Sequence, residues 1–388
     1  MRSSLLALTC AVVFAACSSP STPGQNGGTG SSGGGSGGGS SSSGASSSGS
    51  SGGGGSSGSS SGSASNADAG AVDGDVTAND AGDGEQTFTV QFGPIYVPPS
   101  TQNTQCIVVP LGNTALVHIG QIHDLLGNAS HHMILYKVAA QPTQATPFAC
   151  QPFQDTLNPA DGNPLIISQA KDDTLTLPPG VAFTLEANQM VRLEMHYINA
   201  SATDAVTLVT TSTLTTMNAA DYMYDASFLF IGDPDITIPA QSSWTLGPHY
   251  FPVPAEYATA NFFAMTGHEH QWGTGVTIAS STGISDPGTN IYTNTSWSDP
   301  VTAHFDPPFH VDANGGFQFS CSWYNASTSS VSFGESADDE MCFFWAYYYP
   351  ANPSGAQVCF HTDAYGGEPT GINACCPGSA LCTALMGQ

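Results

Sequence analysis

Apolar and polar residues alternate with period two from Thr87 to Phe92, and similar short β-favouring runs recur along the chain. Successive side chains of a strand point to opposite faces, so this alternation predicts half-buried β-strands. The runs are Cys106 to Val109, Ala115 to Ile119, His132 to Val138, Phe183 to Leu185, Met190 to Ile198 and Val206 to Leu214. Later ones are Ser227 to Ile231, Asn261 to Met265, Val276 to Ala279, Gly316 to Trp323 and Cys342 to Tyr349. Pro, Gly, Asn and Asp punctuate them, and no stretch keeps a helical period beyond a turn or two. The pattern predicts an all-β chain. About 265 residues, from Thr87 to Pro350, are long for one sandwich and suit two. We therefore expect two consecutive antiparallel β-sandwich (jelly-roll-like) domains, residues 87–218 and 219–352, with their seam in the polar region between Thr215 and Asp225.

The flanks differ. Residues 1–16 read as a signal: Arg2 is followed by an apolar Leu5 to Ala16, too short for a mature membrane span. Phe14-Ala15-Ala16-Cys17 resembles the lipobox of bacterial lipoproteins, with Phe14 where Leu is more usual. The resemblance implies export, lipidation of Cys17 and, with Ser18 rather than Asp next, anchoring at the outer membrane. Residues 17–86 read as a linker. Ser18 to about Asn66 is nearly all Gly and Ser, a composition that behaves as a flexible coil, and an acidic run follows from Ala67 to Glu85. About 49 residues of such coil reach ~40 Å.

Residues 353–388 read as a small Cys-rich tail. Of ten cysteines, Cys10 leaves with the signal and Cys17 takes lipid. Cys106, Cys150, Cys321, Cys342, Cys359, Cys375, Cys376 and Cys382 remain, an even set that predicts disulfides in an oxidising compartment. Neighbouring cysteines rarely bond each other, so Cys359 is expected to join Cys375 or Cys376, the other joining Cys382.

Charge narrows the partners. Lys and Arg total 4 against 30 Asp and Glu, a balance that disfavours nucleic acid and anionic surfaces. Metal cations and neutral or cationic small molecules fit better. We expect contact with the membrane through the lipid anchor only, and a monomer.

Histidines supply the candidate chemistry. His268 and His270 stand at i and i+2 in Met265-Thr-Gly-His-Glu-His-Gln-Trp272. On an extended backbone both imidazoles would face one point, as two metal ligands. His131 and His132 are adjacent, so sharing a metal requires a bend, and Gly127-Asn-Ala-Ser130 offers a place for one. His196 lies in Leu193-Glu-Met-His-Tyr197. His118, His123, His249, His304, His310 and His361 are expected to be structural or surface residues.

Six pieces in order resemble the copper type II, ascorbate-dependent monooxygenases, the family of peptidylglycine α-hydroxylating monooxygenase and dopamine β-monooxygenase. They are Cys106, His131-His132-Met133, Cys150, Leu193 to Tyr197, His268-Glu-His270 and Asp338-Asp-Glu-Met-Cys342. The resemblance spans roughly Thr87 to Pro350. It implies two copper ions, one held by His131, His132 and His196 and one by His268, His270 and Met341. It also implies a Cys321–Cys342 disulfide beside Met341. A thioether is a soft ligand that favours Cu(I). The implied reaction hydroxylates a substrate C–H bond with O2 and a one-electron reductant such as ascorbate. The second electron crosses a cleft between the sandwiches.

Two positions depart from the peptide-amidating members. Where those carry an arginine and a tyrosine, this chain has Thr266 and Trp345. A buried carboxylate calls for a charge-assisted donor, which neither residue supplies. Thr266 and Trp345 are thus the candidate contacts for a small substrate that is not a carboxylate. The alternative readings are a non-catalytic copper-binding or storage protein and a structural cell-surface lipoprotein on the same scaffold.

Overall fold

Each β-favouring run from Thr87 to Tyr349 overlaps a strand. The computed structural model describes residues 77–80, 85–150, 162–312, 314–334, 336–353, 357–363 and 371–376. The signal, Cys17, the Gly/Ser tract and Cys382 lie outside the described residues. Among the described residues the only helical element is a three-residue 3-10 turn, Ala255–Tyr257. The protein is an all-β chain of antiparallel-rich sheets.

The first half contributes β1 (Thr77–Asp80), β2 (Gln86–Val97), β3 (Thr101–Pro110), β4 (Val117–Leu125), β5 (Ser130–Val138) and β6 (Gln144–Ala149). It continues with β7 (Asn163–Ser168), β8 (Asp172–Thr176), β9 (Val181–Leu185), β10 (Met190–Asn199), β11 (Val206–Thr216) and β12 (Tyr224–Asp225). One sheet runs β1-β2-β11-β4-β9-β12, with β8 also on β4, and its partner runs β6-β3-β10-β5-β7. β11 alternates buried and exposed positions as a half-buried strand should, whereas β5 is buried almost throughout. The sheet extends further toward the N terminus than the pattern suggested, because β1 pairs with the start of β2 inside the acidic run.

The second half contributes β13 (Ser227–Gly232), β14 (Thr237–Ile238), β15 (Ser242–Pro252), β16 (Asn261–His268), β17 (Gly273–Ser281) and β18 (Thr289–Asn294). It ends with β19 (Ala303–Phe309), β20 (Gly316–Asn325), β21 (Val331–Ser332), β22 (Phe343–Tyr349), β23 (Gln357–Thr362) and β24 (Ile372–Cys376). A six-stranded sheet, β19-β16-β22-β13-β23-β24, faces a four-stranded one, β15-β20-β17-β18, beside the small pair β14-β21. β12 pairs in parallel with β9, so the chain stays with the first pair of sheets up to Asp225.

The six-stranded sheet is buried on both faces. Leu229, Ile231, Phe344, Ala346 and Tyr348 join the core shared with β20, including Phe317 and Phe319. Their neighbours Phe228, Phe230, Phe343, Trp345 and Tyr347 join the core of the first half, with Ile134, Leu193 and Ile167. Tyr347 also accepts the Ile167 N–H at its hydroxyl, 3.2 Å away. Alternate residues of β13 and β22 thus serve two cores, which accounts for the unbroken apolar run at Phe343–Tyr349.

Disulfides join Cys106 to Cys150, Cys321 to Cys342 and Cys359 to Cys375, and Cys376 is also disulfide-bonded. Of the two connectivities left open for the tail, this is the one with Cys359 on Cys375. The tail is not a separate unit, however: β23 lies parallel to β13, and β24 follows it in register.

Candidate functional site

A bulge makes the first histidine group. β5 and β10 pair residue for residue from Met190↔Val138 to His196↔His132, but Tyr197 then faces Ser130, leaving His131 as the extra residue. A bulge breaks strict alternation, so two adjacent side chains can share a face. The turn before it uses Ala129 at φ +65°, with Ser130 N–H on the Gly127 carbonyl at 3.2 Å. Lys171 Nζ donates to the Ser130 carbonyl. The expected bend is therefore present, and one nitrogen each from His131, His132 and His196 lie within 4.8 Å of one another. The ring centroids are 5.0–5.2 Å apart, and His196 Nδ1 is 3.2 Å from His132 Nε2.

His268 and His270 come together differently from the expectation. β16 ends at His268, and His270 sits in the following turn, where its carbonyl accepts the Gly273 N–H at 2.9 Å. The turn, not strand alternation, brings their rings to 4.9 Å. Both rings are oriented by oxygen acceptors, which fixes the proton on Nδ1. His268 Nδ1–H donates to Gln169 Oε1, and Gln169 Nε2–H donates to the Gly267 carbonyl at 3.1 Å. His270 Nδ1–H donates to the Asp339 carbonyl at 3.1 Å. In each ring the lone pair is then on Nε2.

Glu340 ties Met341 to this turn. Its buried carboxylate accepts from His270 N at 2.9 Å, Trp272 N at 2.7 Å, Trp323 Nε1 at 2.8 Å and Met341 N at 3.3 Å. Met341 itself is buried, and the Cys321–Cys342 disulfide anchors the next residue.

The two groups form one cluster. His131 lies 6.3 Å from His268 and 6.1 Å from His270, and His132 lies 5.8 Å from His268, centroid to centroid. The expected cleft between them is closed to ring contact, because the shared sheet packs directly on the first half. All five imidazoles are buried, which disfavours the charged form and holds each below the ordinary histidine range. For His196 and His270 the values fall to about 4. Burial has the opposite sign for the carboxyls, pushing Glu340 up to about 7 and Glu269, also facing Glu340, up to about 9.

Such a cluster is suited to metal. Neutral imidazoles offer lone pairs without proton competition. Nε2 of His131 and of His270 is buried with no hydrogen-bond partner among the described residues. Buried polar nitrogens are rarely left so, and a soft or borderline cation would satisfy them.

Thr266 and Trp345 pair across β16 and β22 and are both fully buried. Thr266 Oγ1 is 3.4 Å from Tyr292 Oη, and the Trp345 ring stands 6.1 Å from His268. Trp297, half-buried in the loop after β18, packs 5.7 Å from His131 and covers the cluster where it nears the surface. Pattern reasoning missed Gln169 and Trp297, single residues in unremarked loops. Glu340 stood inside the quoted Asp-Asp-Glu-Met-Cys string, and its run of main-chain partners was not readable there. Of the other histidines, His118 stacks on Tyr222, His123 pairs with Asp172, and His310 donates to the Ala260 carbonyl.

Comparison with known proteins gives one family match. Residues 224–366 match the model for "Copper type II ascorbate-dependent monooxygenase, C-terminal domain". That span includes His268, His270 and Met341. No curated protein matches. Among solved structures, the major capsid protein P2 from Bacteriophage PM2 is similar at 9% identity and a TM-score of 0.30, covering 69% of this chain and 99% of that one.

Proposed function

We propose that this protein is a copper-dependent monooxygenase that hydroxylates a C–H bond of a small substrate lacking a carboxylate. It would consume O2 and a one-electron reductant such as ascorbate, and act as an exported lipoprotein held by Cys17. The observation that carries the reading is the convergence of five buried, neutral histidines, two of them within the family-matched segment and three outside it. In this reading His131, His132 and His196 hold one copper ion, and His268, His270 and Met341 hold a second. Bound copper would supply the one-electron steps and the activation of O2 that no side chain can provide.

The chain's own residues position and shield. Gln169 and the Asp339 carbonyl set the tautomers of His268 and His270, aiming Nε2 of each into the cluster. Such outer partners fix ring orientation and raise ligand basicity. Glu340 holds the Met341 backbone to the His270 turn. Burial keeps the imidazoles unprotonated and excludes bulk water, while Trp297 offers an aromatic wall at the edge. Neither Thr266 nor Trp345 brings a cation, in keeping with an apolar or aromatic substrate.

Copper content together with oxygen uptake, with and without ascorbate, tests the proposal. Two coppers per chain and ascorbate-dependent oxygen uptake coupled to a hydroxylated product are expected. Met341→Ala should abolish turnover while one copper stays on His131, His132 and His196. Turnover that survives in Met341→Ala would refute the ligand assignment. Two bound coppers without oxygen uptake across amines, phenols and lipids would make this a copper-holding protein instead.

A further inference from the structure

We infer that the second half carries a separate site for a divalent transition-metal cation of the zinc type, built from His249, His361 and Asp363. This site is independent of the histidine cluster above, and none of its ligands is among those proposed for copper.

Three distant segments meet there. Asp233 follows β13, His249 lies on β15 just past a register shift, and His361 and Asp363 close β23. The His249 and His361 rings are 4.3 Å apart. His249 Nδ1–H donates to the fully buried Asp233 carboxylate, and His361 Nδ1–H donates to Asn373 Oδ1 at 2.9 Å. Each ring therefore has its lone pair on Nε2. Both Nε2 atoms face one carboxylate: His249 Nε2 is 3.8 Å from Asp363 Oδ2, and His361 Nε2 is 3.6 Å from Asp363 Oδ1. Donor atoms around a tetrahedral zinc at 2.0–2.1 Å stand about 3.4 Å apart, so ligation asks the exposed Asp363 side chain to turn one oxygen toward both nitrogens.

The surroundings support ligation. A carboxylate or amide oxygen on the far nitrogen of each histidine is the usual outer support of a metal-bound imidazole, and Asp233 and Asn373 fill those places. Asp235 accepts the Asp363 N–H at 2.6 Å and the Thr362 hydroxyl at 3.0 Å, fixing the approach of Asp363. The Cys359–Cys375 disulfide holds β24 so that Asn373 stands opposite His361. Gly371, at φ +70°, comes so close that a Cβ there would lie 2.6 Å from Asp363 Oδ1 and 2.7 Å from His361 Nε2.

The charge at this place favours a bound cation. Asp233, Asp235 and Asp363 surround two imidazoles, and all four Lys and Arg of the chain (Arg2, Lys137, Lys171, Arg192) precede the second half. The second half itself has no Lys or Arg, so within it only an imidazolium competes with a divalent cation for these carboxylates. Asp363 is 60% exposed, which leaves the fourth position to water.

The test counts zinc on the full-length chain by mass spectrometry after dialysis, with Asp363→Asn and His361→Gln compared with wild type. Asp363→Asn alters an exposed side chain and is not expected to disturb folding, so it keeps the test valid if His361→Gln is unstable. Each variant should lose one zinc equivalent, with affinity at that site lowered at least about tenfold. The zinc-induced rise in Tm should shrink with it, by linkage of binding to folding. Equal zinc counts and equal Tm shifts in wild type and Asp363→Asn would overturn the inference.

Discussion

Gln169, from the first half, orients a proposed copper ligand of the second, and replacing it with leucine tests that link. The variant keeps approximate volume but strips the acceptor from His268 Nδ1–H and the donor from the Gly267 carbonyl. Gln169 is buried, so water does not readily replace either bond. A buried polar group that loses its partner costs about 1–3 kcal/mol. With two such groups affected, and some apolar burial gained by leucine, Gln169→Leu should destabilise the metal-free chain by about 2–5 kcal/mol. His268 also loses the contact that fixes its tautomer, and copper affinity at His268–His270 should fall about 10–100-fold. Urea unfolding of the metal-free chain reads the first effect, and competition with a chromophoric copper chelator reads the second. Gln169→Glu separates the bonds, keeping an acceptor for His268 while setting a carboxylate against the Gly267 carbonyl. A Gln169→Leu chain within about 0.5 kcal/mol of wild type, with unchanged copper affinity, would refute the reasoning.

Two further perturbations follow from the same geometry. Ala129→Gly should stabilise by about 0.5–1 kcal/mol, since only glycine occupies φ +65° without strain, and a lower Tm would show that the turn before His131 is unstrained. Asp124, buried against Ser168, has its carboxyl raised from 3.8 to about 7 by burial. The native state then holds a proton that the unfolded chain has released, so stability falls as pH rises from about 4 to about 7 and levels off above. The full effect is about 4 kcal/mol, of which about 3 falls between pH 5 and pH 8, and Asp124→Asn should remove that part of the slope in denaturation across this range. An unchanged slope would place the proton elsewhere.

What the sequence revealed depended on how local the signal was. Period-two alternation located β2 and β11, and the unbroken run at Phe343–Tyr349 located β22. That the same run serves two cores could not be read from it, since a strand's partners on each face come from distant segments. β19 and β15 escaped because prolines interrupt them, Pro307 and Pro308 in one and Pro248 in the other. Both are edge strands, where a missing N–H is tolerated. The bend at His131 was legible because two adjacent ligands demand it. For His268 and His270 the convergence was read correctly and its cause was not, as the strand stops at His268. His249 and His361 gave no signal, since 112 positions separate them and only the parallel pairing of β23 with β13 brings them together. The pairing of the tail with β13 was out of reach for the same reason.

The six-stranded sheet has a consequence for how the chain can be divided. Cut after Asp225, the second half would turn Phe228, Phe230, Phe343, Trp345 and Tyr347 toward water, an aromatic face of the kind that drives aggregation. The first half would lose one wall of its core and the Tyr347 hydroxyl that accepts the Ile167 N–H. Each half is then expected to need the other to cover its apolar face, and calorimetry of the full-length chain should show one cooperative transition rather than two.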